Sequence, residues 1–367
     1  MVDISEKVFD MHLHYFLFDM PIERKIEIFR KEFLATGTEK CVFLSIANEV
    51  KEGQLTFFEI DNLKGLYLKK VFSPNAYAYA HLEHPLDVAD RSEEELSALY
   101  LKQAREYHEA GFDGMKMLEG YPSMRKVMKR TLCDPLYDPY YSYLEEHAIP
   151  VTMHVANPEE NWDRSKAGEY AIKMGRVYDE TYPTKAELLA EVEEIMKKHP
   201  RLRLTLAHFG FMSTDIAAAR HFLGAYENTM LDLTPGGEQL LRMRERWDEE
   251  WHDFFIEYQD RIVYGTDQYA FPYGKSWEEA FWFRPAFLRR FFETDTEHMY
   301  GETSFRGVLL EKSIRDKIYR ENAERYLGAP REIDLAYMQR KAKELLATPG
   351  KTQPLADEDL RYILENL

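Results

Sequence analysis

Cysteine is nearly absent from this chain: two residues in 367, Cys41 and Cys133. They are too few and too far apart for a disulfide framework, and they form no CxxC metal pair. No run of about 18 apolar residues occurs, and no apolar signal core opens the chain. The expectation is therefore a soluble, cytoplasmic protein that meets no membrane. Positive charge is also in deficit. Lys and Arg total 48 against 65 Asp and Glu, a net charge of −17. That balance argues against nucleic acid or an anionic membrane as a partner. It leaves room for an anionic small molecule, because a few local cations can override the global field. Internal repeats and low-complexity tracts are missing too. What is abundant is core material, 45% hydrophobic and 14% aromatic residues, so disorder is excluded.

Eight short apolar runs read as strands: residues 8–14, 40–46, 75–82, 112–118, 150–156, 202–208, 229–234 and 261–267. Helix-patterned stretches separate most of them. Ser92-x-x-Glu95 and Thr184-x-x-Glu187 are capping boxes, Gly37 and Gly111 are stops, and Pro21 and Pro200 bound helices. Regular strand–helix alternation predicts a parallel sheet, and eight units predict closure into a (β/α)8 TIM barrel. Two long insertions are expected at strand C-termini. Residues 157–183, after strand five, carry Trp162, Arg164, Tyr178 and Tyr182; residues 268–305, after strand eight, carry Tyr269, Phe271, Tyr273, Trp277, Phe281, Trp282 and Phe283. Barrels place substrate recognition in such loops. The expected domains are a barrel over 1–330 and a C-terminal helical extension over 331–367. The extension has Pro349-Gly350 between two helices and would pack on the barrel or a neighbouring subunit of a homo-oligomer.

Phe9-Asp10-Met11-His12-Leu13-His14 is the most unusual strand. Alternation puts Asp10, His12 and His14 on one face and the apolar residues on the other. Lys116, His154, His208 and Asp267 fall late in strands four, five, six and eight, each among apolar neighbours. In a barrel these strand ends meet at one mouth. A lone histidine on an apolar strand is usually structural, but four histidines and a carboxylate at converging ends predict a divalent metal site. The donor set suits zinc first, and also manganese, iron or nickel. His81 and His84, after strand three, are within reach of the mouth. Asp10 sits one pleat deeper and is expected to orient the site by hydrogen bonding.

The Asp10-x-His12-x-His14 strand, Gly111-Phe-Asp-Gly-Met-Lys116, Met-His154, Ala-His208-Phe-Gly, Gly-Thr-Asp267 and the stretch from Ile318 through Asn322-Ala323 to Leu327 together resemble the amidohydrolase superfamily. They are most similar to the amidohydrolase-related branch containing aminocarboxymuconate-semialdehyde decarboxylase, resorcylate-type decarboxylases and lactone hydrolases. The resemblance covers about residues 8–328. It implies that His12, His14, His154 and Asp267 hold one divalent metal, with His208 facing the substrate. If Lys116 were carboxylated, a second metal would bind. Asp267 and His208 are the candidate catalytic groups, as proton acceptor and oxyanion partner. Lys116 and Arg164 are the candidate anchors for a substrate carboxylate. The implied activity is a metal-dependent hydrolase cleaving a C–N or C–O bond of a small carboxylate-bearing substrate with activated water. The alternative is a metal-dependent, non-oxidative decarboxylase of an aromatic or muconate-type acid. A non-catalytic metal-binding barrel stands third.

Overall fold

The computed structural model describes residues 4–15, 20–268 and 277–367, without the side chains of 238 and 277–282. Tyr269, Phe271 and Tyr273 lie outside the described residues, as do the side chains of Trp277, Phe281 and Trp282.

Eight parallel strands run in chain order: β1 (Val8–Leu13), β2 (Thr38–Leu44), β3 (Ala76–His81), β4 (Gly114–Gly120), β5 (Val151–Val155), β6 (Leu204–Leu206), β7 (Thr229–Asp232) and β8 (Ile262–Val263). Each overlaps one of the expected runs. The last strand is short, but its extension closes on the first. Met11 N donates to Tyr264 O at 3.0 Å, Asp267 N to His12 O at 2.9 Å and His14 N to Gln268 O at 3.0 Å. This is the TIM barrel expected from the alternation of strands and helices.

Local chemistry explains the punctuation. Ser92 and Glu95 cap each other reciprocally to open the helix Glu93–Ala110, and Thr184 and Glu187 do so for Lys185–Lys198. The first of these helices ends at Gly111, φ 97°, where a Cβ would collide with the Glu332 carbonyl. Only glycine meets both demands.

Two apolar layers result. The larger lies between strands and helices; the smaller fills the barrel interior with Phe9, Met11, Leu44, Tyr79, Met230 and their neighbours. Strict alternation fails in β1. Phe9 and Met11 belong to the interior layer, whereas Val8 and Leu13 belong to the outer one. The β1–β2 register shifts between Asp10 and Leu13, so the strand takes an irregular step just where its histidines begin.

Residues 157–183 form a loop with two short helical turns, Glu159–Trp162 and Glu169–Lys173, and a ring cluster in which Tyr178 lies 4.9 Å from both Trp162 and Tyr182. The second insertion holds the helix Trp277–Glu293 and a hairpin of Glu297–Tyr300 with Thr303–Arg306. A further hairpin, Asn48–Lys51 with Gln54–Phe57, follows β2 and was not legible as such. The C-terminal helices Leu335–Ala347 and Ala356–Glu365 pack on the chain's own barrel, burying Met338, Leu360 and Ile363. Asp359 Oδ1 accepts from Ile22 N at 2.8 Å, and Gln353 Oε1 from Ile60 N at 3.0 Å. No described helix is long and apolar enough to cross a membrane.

Candidate metal centre

The end of β1 and the turn after β8 bring three ligand atoms together. His12 Nε2 and His14 Nε2 are 3.1 Å apart, and Asp267 Oδ1 is 3.6 Å from the first and 3.4 Å from the second. Bonds of 2.0–2.2 Å to one cation place neighbouring donors about 3 to 3.5 Å apart. The spacing therefore fits.

The far side of each imidazole decides its tautomer. His12 Nδ1 donates to Asp232 Oδ2 at 2.7 Å, and His14 Nδ1 donates to the Leu44 carbonyl at 2.8 Å. Carboxylate and carbonyl only accept, so Nδ1 carries a proton in both rings, and each imidazole in its neutral form presents Nε2 as a lone pair. Two lone pairs facing each other repel unless a cation lies between them. Burial, reinforced by nearby Lys116, holds His12 well below its ordinary pKa, which keeps it neutral. Burial alone would raise Asp267. Arg284 beside it outweighs burial and keeps the carboxyl well below its usual range.

A second proton shortage runs beside the first. His154 Nε2 contacts the Ala156 carbonyl at 2.9 Å, and its Nδ1 faces His208 Nε2 at 3.0 Å. His208 Nδ1 then meets Thr234 Oγ1 at 2.9 Å, which donates to Asp232 Oδ1 at 2.7 Å. Both ends of this chain only accept, so its four contacts need four protons. Two neutral imidazoles and one hydroxyl supply three. Burial lowers His154 well below its ordinary value and takes His208 to about 3, so a fourth proton is not held there. A buried group of histidines short of protons is a donor set built for a cation.

The backbone supports the arrangement. Ala156, His208 and Asp267 adopt φ of 64°, 59° and 51°, left-handed conformations that L-residues seldom hold. Such strain gathers at functional sites.

Each expected site residue can now be located. His12, His14 and Asp267 converge, and among the described residues they are the one group of three metal-competent side chains with ligand atoms this close. His154 and His208 stand next to them, paired with each other, with the His208 and His12 rings 5.3 Å apart. Lys116 is buried with Nζ 3.5 Å from His12 Nε2, and burial lowers it to about 8 despite Asp232, Asp267 and Glu119. Arg164 is exposed on its loop and is not drawn into this cluster. Asp10 accepts from Thr266 Oγ1 at 2.6 Å and from His12 N at 3.0 Å, tying β1 to the β8 end. His84 is engaged away from the centre, between Tyr100 and Glu119. His81 is fully buried, in register with Lys116.

Two residues escaped sequence reasoning. Asp232, at the end of β7, also accepts from His208 N at 2.7 Å and so orients two histidines. Its signal was a charge between Leu231 and Leu233. Arg284, from the helix after β8, donates to Asp267 Oδ2 at 3.1 Å and to the Asp267 carbonyl. Nothing in the sequence marked it.

Residues 75–329 match the family model described as amidohydrolase. Among solved structures, the chain superposes on 4-oxalomesaconate hydratase from Rhodopseudomonas palustris with a TM-score of 0.52, at 15% identity over 87% of this chain and 95% of that one. A 2,6-dihydroxybenzoate decarboxylase from Rhizobium gives 0.50 at 16% identity, covering 88% and 99%. An uncharacterised TIM-barrel protein from Bordetella bronchiseptica gives 0.50 at 15% identity, covering 88% and 98%. At these identities the likeness is one of fold. Comparison with curated proteins gives no match.

Proposed function

Because this chain belongs to the amidohydrolase family, we propose that it is a metal-dependent hydrolase cleaving a C–N or C–O bond of a small, carboxylate-bearing substrate. The observation that carries this reading is the facing pair of Nε2 atoms on His12 and His14, with Asp267 Oδ1 closing the triangle. His12, His14 and Asp267 would hold one divalent ion, zinc before manganese, iron or nickel on the chemistry of the donors. His154 would join them by releasing the Ala156 carbonyl. Such an ion supplies an electrophile for a carbonyl oxygen and lowers the pKa of water toward neutrality.

The protein's own groups do the rest. His208, held by Thr234 and by Asp232, directs Nε2 at His154 Nδ1. Once His154 turns to the ion, the tautomer that accepts from the Thr234 hydroxyl at Nδ1 would let Nε2–H donate to an oxygen that gains negative charge. Asp267, 16% exposed, is placed to accept a proton from water through Oδ1. Lys116, with Nζ 3.5 Å from His12 Nε2, offers a cation beside the triad for a substrate anion.

One observation favours a second reading, non-oxidative decarboxylation. Arg284 occupies Asp267 Oδ2 and keeps the carboxyl a strong acid, which makes it a good ligand and a weak base. Decarboxylation needs a proton delivered to carbon instead of water stripped of one.

Protein reconstituted with zinc or manganese would be assayed on lactones, amides and aromatic acids in oxygen-18 water. Hydrolysis carries the label into product; decarboxylation releases carbon dioxide and leaves the product unlabelled. His12→Ala and Asp267→Asn should each lose metal and turnover. Full metal content and activity in both variants would overturn the proposal.

A further inference from the structure

The residue after His14 is held from behind by a chain of buried polar side chains that ends in the C-terminal helices. The Tyr15 hydroxyl lies 2.7 Å from Ser45 Oγ and 2.8 Å from the Asp61 carbonyl oxygen. A carbonyl only accepts, so the phenol proton goes to Asp61 and the Ser45 hydroxyl donates to the phenol oxygen. Ser45 follows Leu44, whose carbonyl takes the His14 Nδ1 proton at 2.8 Å. The Asp61 side chain grips the same strand end, its Oδ2 accepting from Ile46 N at 2.7 Å. Asp61 therefore holds both sides of the His14 support: the exit of β1 through Tyr15, and the exit of β2 through Ser45 and Ile46.

The helix Asp61–Phe72 is shaped around this contact. A Cβ on Gly65, one turn along, would stand 2.6 Å from the Tyr15 hydroxyl and 2.7 Å from Ser45 Oγ. Glycine is unfavourable inside a helix, and here the room for the hydroxyl requires it. Asp61 is in turn set by the C-terminal extension. Gln353 Oε1 accepts from Ile60 N at 3.0 Å, and Lys64 Nζ lies 4.0 Å from Asp61 Oδ1 and 3.8 Å from Asp359 Oδ2. Asp359 Oδ1 also accepts from Ile22 N at 2.8 Å, at the start of the helix Ile22–Thr36 that follows β1. Tyr15, Ser45, Asp61, Lys64 and Asp359 are all buried. Apolar side chains would stabilise such a contact at least as well. What a satisfied polar chain adds is direction, because each hydrogen bond fixes an angle.

We propose that Tyr15 and Asp61 are positioning residues for the metal ligand His14, and that through them the C-terminal extension belongs to the metal centre. The chain fixes where the Leu44 carbonyl stands against His14 Nδ1, and so the direction in which Nε2 points. This rests on the metal-dependent reading for the role of His14, but the hydrogen bond of the ring is tested without metal.

Tyr15→Phe removes only the hydroxyl, Gly65→Ala fills the room for it, and Asp359→Ala removes the C-terminal end of the chain. Met338→Ala is the control, since it loosens the same extension through a buried apolar contact alone. Each full-length variant would be measured by zinc competition against a chelator, and by hydrogen exchange of the His14 Nδ1 proton in the metal-free protein. The expected result is about 10-fold weaker zinc binding in Tyr15→Phe and Gly65→Ala, the low end for residues behind a ligand. Asp359→Ala should lose less and Met338→Ala nothing, and the Nδ1 proton should exchange faster in the same order. Wild-type affinity and exchange in Tyr15→Phe would overturn the inference. So would a loss in Met338→Ala equal to that in Asp359→Ala, which would mean that the extension acts through stability alone. A wild type that binds no zinc, but whose Nδ1 proton responds to Tyr15→Phe, would overturn the hydrolase reading and leave the positioning of His14 standing.

Discussion

Asp232 is the side chain on which the metal centre's order depends. One carboxylate oxygen takes the His12 Nδ1 proton, and the other receives His208 N and the Thr234 hydroxyl. An amide in its place would turn a donor toward one of these groups and disturb the His12 tautomer. Asp232→Asn is therefore expected to weaken divalent-metal affinity by about 10- to 100-fold, with the circular dichroism spectrum unchanged. A chelator-competition titration reads this directly, and unaltered affinity would refute the role. The contrast with His12, His14 and Asp267 shows what a sequence can display. Those three stood out because histidines and a carboxylate interrupt apolar runs at strand ends. Asp232 does so too, but its strand carries no histidine to draw attention to it. Arg284 lies 17 residues beyond Asp267 on a helix, and where a helical side chain points depends on how that helix docks.

Among the elements, the ends of the strands matter more than their middles. The eight apolar runs and the capping boxes were legible because period and punctuation are local properties. The irregular step in β1 was not, since it arises from pairing with β2 and from closure onto β8. The β4–β5 approach is another such feature. A Cβ on Gly120 would come within 2.5 Å of the His154 carbonyl oxygen and 2.9 Å of Val155 Cα. Both neighbours are backbone and cannot swing aside. Gly120→Ala should cost about 1–3 kcal/mol of stability, the range for overpacking, and displace His154 from His208. Urea denaturation would measure the first effect and histidine NMR shifts the second. A variant as stable as wild type would mean that the two strands part more easily than their contacts indicate.

For the whole molecule, attachment of the C-terminal helices runs through a buried polar knot. Lys25 and Lys64 are both 2% exposed, and Lys64 lies 3.8 Å from Asp359 and 4.0 Å from Asp61. Lys25 Nζ makes no hydrogen bond among the described residues. Burial, aided by Lys64, lowers Lys25 to about 7 from an ordinary 10.5, with Asp359 and Asp61 opposing. Between those values the unfolded chain holds a proton that the folded chain does not, so this group's contribution to stability rises with pH. Lys25→Met should stabilise the protein by about 1–4 kcal/mol at or below pH 7. The gain should shrink as pH climbs toward 10.5. Paired denaturation curves across that window test it, because every other titration is common to the two proteins. A gain that grows with pH would contradict the assignment.

The tautomers fixed by Asp232 and the Leu44 carbonyl have a thermodynamic consequence for metal uptake. Most protein sites must expel protons to receive a cation, and affinity then falls steeply with acidity. Here His12 is already neutral and Asp267 already ionised, so those ligands have no proton to give up. Binding near about pH 6.5, the ordinary midpoint of histidine, should release well under one proton per ion, read from calorimetric enthalpies in buffers of very different ionisation heat. A dependence amounting to about one proton or more per ion would show that the centre is not preset. If it is preset, the folded barrel has discharged the protons of His12 and Asp267 before the ion arrives, and loading is chiefly a matter of desolvating the metal.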